Sequence, residues 1–254
     1  MAVIWQKKID AQHYEIRTAG KSRRLYKNGV CHSQFNPGNI ITGSIWDLLI
    51  LPSCYQPDVH PARVLLLGVG GGAVIRQLHS LFCPESITGV EKDALHIDLG
   101  RRFFGLDMDS LELVEADAVD WLRRHRKHRY ELIIEDMFSE SSRRPVRAVP
   151  ADGEWLKCLT RHLSGSGILV MNFASEEEFR ESAVCQDMKL RNRFTSIYRL
   201  TLPTLDNVVV AMHKRAVDHK GIHRNIMHNP VLERAVMSRK LKYRIRKLRQ
   251  LKHG

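Results

Sequence analysis

Four glycines and an acid that follows them are the residues of this chain best placed to do chemistry. The glycines come directly after a continuous apolar run and are Gly68, Gly70, Gly71 and Gly72. Glycine lets the main chain turn sharply and lets a ligand lie close to the backbone. Glu91 ends a second apolar run, about 20 residues after the turn, where nucleotide-binding folds hold ribose hydroxyls. The pattern predicts a nucleoside-type ligand at the carboxyl ends of parallel strands.

Alternating strands and helices surround these residues. The run 64–67 is apolar throughout, as expected of a strand that is buried on both faces. Six further strands are predicted at 87–90, 111–114, 130–135, 168–173, 195–202 and 207–212. Helices are predicted at 40–51, 73–82, 93–104, 119–125, 155–163 and 176–184, with a turn at Gly165-Ser166-Gly167. Such alternation is typical of an α/β fold with a doubly wound sheet.

We therefore predict an α/β, Rossmann-like, doubly wound sheet of seven strands that ends in an antiparallel pair. A small N-terminal β-hairpin element precedes it, because Asn28-Gly29 is the strongest two-residue hairpin signal. A reversed final strand is typical of domains that bind S-adenosylmethionine rather than nicotinamide dinucleotides. The predicted organisation is a hairpin and helix over 1–52, an S-adenosylmethionine-binding domain over 53–213, and a helical tail over 214–254.

Composition excludes several classes of protein. The 254 residues are 43% hydrophobic, which is enough for a substantial core. Without an apolar run of about 18 residues, no transmembrane helix is expected. The first residues lack the apolar core of a secretory signal. The five cysteines are scattered and never in CxxC spacing, so we expect neither disulfides nor a metal site and predict a cytoplasmic location.

The basic charge is concentrated at the C-terminus. Residues 212–254 hold 13 Lys and Arg residues against the two acids Asp218 and Glu233, within a chain whose net charge is +12. Asn229-Pro230 is a helix-start signal, and apolar residues then recur every three to five positions. We predict a basic amphipathic helix over 231–252. It either docks on its own domain, contacts RNA or DNA, or contacts an anionic membrane or an acidic partner.

Five motifs in order resemble those of the spermidine synthase family, whose fold is that of the S-adenosylmethionine-dependent methyltransferases. They lie within residues 13–212 and are RLYKNGVCHSQF, VLLLGVGGGAVIRQL, Val90-Glu91-Lys92-Asp93, Asp117-Ala118 and YELIIED, which ends at Asp136. The resemblance implies the same fold and a homodimer formed through the N-terminal hairpin.

The resemblance also implies roles for single residues. Glu91 would bind the ribose hydroxyls, Asp117 the adenine amino group, and Asp136 would be catalytic, deprotonating the attacking group. The implied cofactor site consists of Gly68, Val69, Gly70, Glu91, Lys92, Asp117, Ala118 and Asp136. From the residues alone, Asp117 is also suited to cap the next helix, and Asp136 to a structural role at a strand end.

The chain departs from the family at the positions that bind polyamines. Gly71 replaces an aspartate, Ser139 replaces the second acid after the fourth strand, and Ser44-Ile45-Trp46 replaces a Tyr-His-Glu segment. His32 stands in place of a glutamine. Because ammonium groups need carboxylate partners, we expect the nucleoside site to be kept and the polyamine site to be lost.

Three functions follow from this pattern. The first is a methyltransferase that uses S-adenosylmethionine on an unidentified acceptor, with Asp136 facing that acceptor. The second is a polyamine aminopropyltransferase that uses decarboxylated S-adenosylmethionine. The third is a non-catalytic protein that binds nucleosides or nucleic acid through its tail. Arg143 and Arg144 are candidates for contact with an anionic substrate group, or they are ordinary surface residues.

Overall fold

The computed structural model describes residues 1–56, 61–141 and 144–248. It begins with an antiparallel sheet of four strands in sequential order. The strands are β1 (Ala2–Ile9), β2 (Gln12–Ala19), β3 (Ser22–Lys27) and β4 (Val30–Phe35). The predicted hairpin is thus half of a larger sheet, with Asn28 and Gly29 at positive φ in the turn between β3 and β4. Strand β1 escaped prediction because it has no buried face to impose a two-residue period.

The first helix is shorter than the sequence predicts. The predicted 40–51 is wrong at its start, since α1 spans Ile45–Ile50 and a 3-10 turn follows over Leu51–Cys54. The buried carboxylate of Asp47 accepts hydrogen bonds from the backbone N–H groups of Thr42 and Gly43. Those bonds hold the residues before α1 in a loop, because a side-chain acceptor replaces the helical carbonyls.

The central sheet is built from strands that alternate with helices along the chain. Its elements are β5 (Arg63–Leu67), α2 (Ala73–Phe82), β6 (Ser86–Glu91), α3 (Ala94–Phe104), β7 (Leu111–Glu115), α4 (Ala118–Arg124), β8 (Tyr130–Glu135), the hairpin of β9 (Phe138–Ser141) and β10 (Arg144–Arg147), α5 (Gly153–Arg161) and β11 (Leu163–Phe173). Strands β5 to β8 and β11 are mutually parallel where they pair. The predicted α/β class with a mostly parallel sheet is confirmed.

Two local predictions in this region are wrong. The turn predicted at Gly165-Ser166-Gly167 lies inside β11, where a shift of register between Leu163 and Ile168 absorbs the extra residues as a bulge. The helix predicted at 176–184 is broken into α6 (Glu176–Glu181) and α7 (Ala183–Gln186), and a short α8 (Met188–Arg191) follows beyond the predicted range. Ser182 causes the first break, since its backbone is extended and its hydroxyl donates to the carbonyl of Phe179.

The predicted antiparallel pair at the end of the sheet is confirmed. It consists of β12 (Ser196–Thr201) and β13 (Val208–His213), which pair with each other, while β13 also pairs with β11. Beyond it lie α9 (Ile222–Met227), α10 (Pro230–Met237) and a further strand, β14 (Arg244–Lys247), beside β12. Within the described residues the sheet therefore has eight strands instead of the predicted seven, because β14 adds to its edge, and their order is β14-β12-β13-β11-β8-β5-β6-β7.

The tail helix predicted over 231–252 is wrong for residues 238–248, and its part over 249–252 lies outside the described residues. Asn229 caps α10 as predicted, accepting from the N–H groups of Val231 and Leu232. The chain then turns at Arg239, which has a positive φ, and Ile245 packs on the core as part of β14. Residues with helical apolar spacing thus form a strand, because β12 offers a free edge to pair with.

Two apolar clusters cover the two faces of the central sheet. One contains residues of α1, α2, α9 and α10, and the other contains residues of α4, α5 and α6. Within the described residues, no helix is both long enough and apolar enough to cross a membrane. The division of the chain at residues 52 and 213 stays a prediction.

A buried histidine at the end of β13 makes the stability of this fold depend on pH. The ring of His213 stacks on Tyr55 at 5.4 Å between centroids, and burial lowers its pKa to about 3. Neither ring nitrogen has a hydrogen-bond partner among the described residues. The unfolded chain takes up a proton near pH 6.5, whereas the folded protein does not. Stability should therefore fall as the pH falls below 6.5.

We predict a loss of roughly 1.4 kcal/mol per pH unit from this group between about pH 6 and pH 5. The measurement is the free energy of unfolding in urea at several pH values, for the wild type and for His213→Phe. The variant should lose this part of the pH dependence. The same slope in both proteins would contradict the assignment.

Candidate functional site

One cavity of about 800 Å³ opens at the carboxyl ends of the parallel strands. All of the residues predicted to form the cofactor site line it, namely Gly68, Val69, Gly70, Glu91, Lys92, Asp117, Ala118 and Asp136. The α/β topology explains the convergence, because β5, β6, β7 and β8 are adjacent and end at the same edge. The structure brings the predicted residues together, while their roles stay predictions.

Gly68 brings two loops at this edge of the sheet into close contact. Its φ is +84°, and a Cβ atom there would lie 2.3 Å from the carbonyl oxygen of Asp136. The N–H of Gly68 donates to Val90, and that of Asp136 donates to Leu67. A side chain at residue 68 is therefore excluded both by backbone conformation and by space.

Glu91 holds the glycine turn in place with its carboxylate. Its Oε2 atom accepts the N–H groups of Val69 and Gly70 at 2.9 Å each, and its Oε1 atom accepts that of Asp93 at 2.9 Å. Burial alone raises the pKa of Glu91, but the His96 ring and these N–H groups lower it to about 2. A carboxylate oxygen has about two acceptor positions, so Oε1 retains one for a ligand hydroxyl.

Asp117 caps a helix and lines the cavity at the same time. Its Oδ1 atom accepts the N–H groups of Val119 and Asp120 at the start of α4. Its Oδ2 atom lies 3.4 Å from Nζ of Lys92 and is on the exposed side. Both alternatives left open by the sequence are thus compatible, since capping uses one carboxylate oxygen and leaves the other near the ligand space.

Asp136 is oriented by an amide on the neighbouring strand. Nδ2 of Asn172 donates to its Oδ1 atom at 2.7 Å, and Asn207 donates to the Asn172 amide oxygen at 3.2 Å. Burial raises the pKa of Asp136, while the hydrogen bond from Asn172 and the charge of Arg147 act in the opposite direction. The Oδ2 atom has no hydrogen-bond partner among the described residues.

A buried ion pair between Arg147 and Glu135 supports the contact between Asn172 and Asp136. The guanidinium of Arg147 donates to both oxygens of Glu135 at 2.7 Å, and it also donates to the carbonyl of Asn172. Glu135 is completely buried and is not among the described residues that line the cavity. Because Arg147 belongs to β10, this contact fixes the β9–β10 hairpin beside Asp136.

The N-terminal sheet forms one wall of the site. Asp93 accepts hydrogen bonds from Tyr14 at 2.7 Å and from Lys27 at 3.0 Å, which join β2 and β3 to the start of α3. The His32 ring lies against the His96 ring with centroids 4.9 Å apart. These contacts place His32 in the cavity wall and close to Asp136, whose pKa its charge lowers.

Gly71 occupies a space that leaves no room for a side chain. A Cβ atom there would lie 2.7 Å from Cβ of Ser33, and the Ser33 hydroxyl accepts the N–H of Ala73 at 3.1 Å. The aspartate that the resembling family has at this position would therefore collide with β4. The absence of that acid is built into the packing of the N-terminal sheet on the glycine turn.

The part of the cavity beyond Asp136 is mainly apolar. Ile45 and Trp46 line it from α1, Phe138 from β9, and Ala148 and Val149 from the segment after β10. The anion contact predicted for Arg143 and Arg144 lies outside the part of the chain whose side chains are described.

Sequence reasoning missed the residues that support the site. Asn172, Asn207 and Arg147 contribute no recognised motif, although Asn172 is a polar residue near the end of an apolar strand, which is a usable signal. The role of Arg147 could not be recognised from the sequence. Its partner Glu135 precedes the hairpin on which Arg147 lies and looks like an ordinary charged residue.

Comparisons with known proteins agree on the fold and on a family. Residues 47–225 match the family model described as the spermine/spermidine synthase domain. Spermine synthase SPE4 of Saccharomyces cerevisiae is 30% identical over 188 residues, which are 67% of this chain and 60% of the yeast protein. The chain spans less than two thirds of the length of the first curated relatives that it matches.

Solved structures with this fold include proteins of two kinds. A probable spermidine synthase from Corynebacterium glutamicum superposes with a TM-score of 0.71 at 16% identity, over 89% of this chain and 88% of that chain. Human methyltransferase-like protein 13, solved in complex with SAH, superposes with a TM-score of 0.62 at 18% identity, over 76% of this chain and 91% of that one.

The close contact at Gly68 yields a stability prediction. Gly68→Ala should lower the free energy of unfolding by at least about 2 kcal/mol, because it adds backbone strain and a steric overlap. The matched control is Gly165→Ala, since a Cβ atom there would meet no heavy atom within 4 Å. Urea unfolding of both variants measures the difference, and equal stabilities would show that the two loops separate without cost.

Proposed function

This chain belongs to the spermine/spermidine synthase domain family, and from that premise we propose that it is a transferase that binds S-adenosylmethionine and transfers its methyl group. The acceptor is a small molecule or residue that enters beside Asp136. The observation that carries the proposal is the contact between Gly71 and Ser33, which excludes the acid that an aminopropyl donor would need.

The nucleoside half of the site supports an S-adenosyl ligand. Glu91 is ionised at neutral pH, since its pKa is about 2, and it retains an acceptor position for ribose hydroxyls. Asp117 has a carboxylate oxygen that the helix cap does not use. Gly68, Val69 and Gly70 offer backbone without bulky side chains along one side of the cavity.

The amino-acid half of the site supports S-adenosylmethionine rather than its decarboxylated form. A decarboxylated donor carries an uncompensated ammonium group, which is best bound by a carboxylate. Here residue 71 has no side chain, and the cavity wall beside Gly70 carries the imidazole of His32. An imidazole can donate a hydrogen bond to a ligand carboxylate, which the decarboxylated donor lacks.

Asp136 is suited to receive a proton from the acceptor. Its Oδ1 atom is bound by Asn172, so the carboxylate has a fixed orientation, and Oδ2 is free of partners among the described residues. The raised pKa that follows from burial makes it a better base than an exposed aspartate. When bound, the donor supplies an electrophilic methyl group next to this carboxylate, whose negative charge also complements the positive sulfonium centre.

The apolar walls indicate what the acceptor is like. Trp46, Phe138 and Val149 replace the polar surroundings that a diamine or triamine needs, because burying an ammonium group against them would be costly. We infer that the acceptor presents one nucleophilic atom to Asp136 and an uncharged surface to these walls.

Donor preference is the first test of the proposal. Calorimetric titration should show S-adenosylmethionine binding at least about tenfold tighter than the decarboxylated form, a difference of about 1.4 kcal/mol. Glu91→Gln should weaken both ligands strongly, whereas Glu112→Gln, an exposed change on β7, should leave both unchanged. A clear preference for the decarboxylated ligand would refute the methyl-transfer proposal while leaving the nucleoside site intact.

A second candidate function is aminopropyl transfer to an amine. It is favoured by the names of the curated relatives, including the yeast spermine synthase. The discriminating assay supplies decarboxylated S-adenosylmethionine with putrescine and looks for methylthioadenosine and spermidine. We expect neither product above the level of Asp136→Asn. Product formed by the wild type and lost in Asp136→Asn would establish aminopropyl transfer instead.

A non-catalytic nucleoside-binding protein is the third candidate. It shares the predicted donor site but needs no ordered base. The Asn207–Asn172–Asp136 hydrogen bonds and the buried Arg147–Glu135 pair favour catalysis, because an ordered carboxylate is costly to maintain where no proton is transferred.

A further inference from the structure

Four exposed cations lie on or just before the last described strand, at the edge of the central sheet. They are Lys242, Arg244, Arg246 and Lys247, and together they are called the cationic edge below. No acidic residue follows Glu233 in the sequence. Among the described residues, no carboxylate forms an ion pair with any of the four, so their charge is available to a partner.

The strand that carries these cations is firmly attached to the domain. Each of the residues 244–247 pairs with one of the residues 198–201 of β12, with Ile245 opposite Leu200. Ile245 packs on one apolar cluster and Leu248 on the other. Ile245 and Leu248, which contributed to the predicted amphipathic pattern of the tail, therefore pack against the domain. The side chains that remain exposed along the strand are cationic.

Arg246 lies directly opposite Arg199 on β12, an arrangement that is unfavourable unless it is compensated. Arg199 forms an ion pair with Glu176, which neutralises the inner member of the pair. Arg246 has no such partner within residues 1–56, 61–141 and 144–248. The sheet thus neutralises its inner arginine and leaves the outer one charged at the exposed edge.

We infer that the cationic edge binds the phosphate backbone of a nucleic-acid duplex. Alternate side chains along a strand are spaced by about 6.7 Å, and arginine and lysine neutralise phosphates without reading bases. Tyr243 precedes Arg244 in the sequence, but its hydroxyl is hydrogen-bonded to His223 and its ring packs on the core. Without a free ring for stacking, contact with phosphates is favoured over the binding of unpaired bases.

A membrane surface fits the same strand less well. Peripheral attachment requires apolar side chains that enter the lipid, whereas Ile245 and Leu248 face the protein.

The cationic edge begins at the same end of the sheet as the opening of the cavity, because Arg244 pairs with Thr201 at the end of β12. Four strand spacings separate β14 from β8, or about 19 Å.

The test is a titration of the full chain with a duplex DNA of about 20 base pairs at several salt concentrations. With four phosphate contacts, the logarithm of the binding constant should fall against the logarithm of salt concentration with a slope of about −3.6. Arg244→Gln/Arg246→Gln should reduce the slope by about 2 and weaken binding at least tenfold at 100 mM salt.

The matched control is Lys7→Gln/Lys8→Gln, which removes the same charge from the exposed strand β1 of the N-terminal sheet. It should leave slope and affinity nearly unchanged, and thermal unfolding should show that both double variants are folded. Three results would each overturn the inference: no binding of duplex by the wild type, equal losses in the two double variants, or binding to vesicles containing phosphatidylserine without binding to duplex. Donor titrations are independent of this outcome, so its failure would not affect the proposed function.

Discussion

The carboxylate of Glu91 is the contact on which the rest of the site depends. It accepts three backbone N–H groups, two of which belong to the glycine turn and one to the start of α3. Without these bonds the N–H groups of Val69 and Gly70 would be buried without acceptors, at a cost of about 1–3 kcal/mol each. The turn so held brings Gly68 against the backbone of Asp136 and Gly71 against Ser33. One side chain therefore connects the nucleoside half of the cavity, the candidate base and the N-terminal sheet.

Most strands of the central sheet could be predicted from the sequence. Every residue predicted to form the cofactor site also lines the cavity. The buried strands have continuous apolar runs, and the α/β topology alone dictates that their carboxyl ends meet. Two of the wrong predictions were decided by a specific hydrogen-bonding partner. Ile40 to Ser44 stays out of α1 because of Asp47, and residues 244–247 leave the helical pattern because β12 has an unpaired edge. The local spacing of apolar residues gives no information about Asp47 as an acceptor or about β12 as a neighbouring strand.

The supporting residues escaped prediction for a related reason. Arg147 and Glu135 are separated by a hairpin, and each on its own looks like a surface charge, yet together they form a buried pair. Removing one member of such a pair leaves an uncompensated buried charge and costs about 3–5 kcal/mol. The pair gains nothing obvious in stability over apolar packing. Its position instead fixes β10 and the Asn172 carbonyl, and through Asn172 the orientation of Asp136.

The departures from the family are consistent with one another, which is why they bear on function. A lost acid at Gly71 alone could be a neutral change, but Ser33 fills the vacated space and so commits the packing to its absence. Apolar Ile45 and Trp46 line the same cavity, at positions where the resembling family has part of a Tyr-His-Glu segment. By contrast, Glu91 keeps a low pKa, and its Oε1 atom accepts only one backbone N–H group among the described residues. The residues proposed to bind an S-adenosyl nucleoside thus differ from those that depart from the family, so the proposed donor site and the departures at Gly71 and in α1 are separable in this fold.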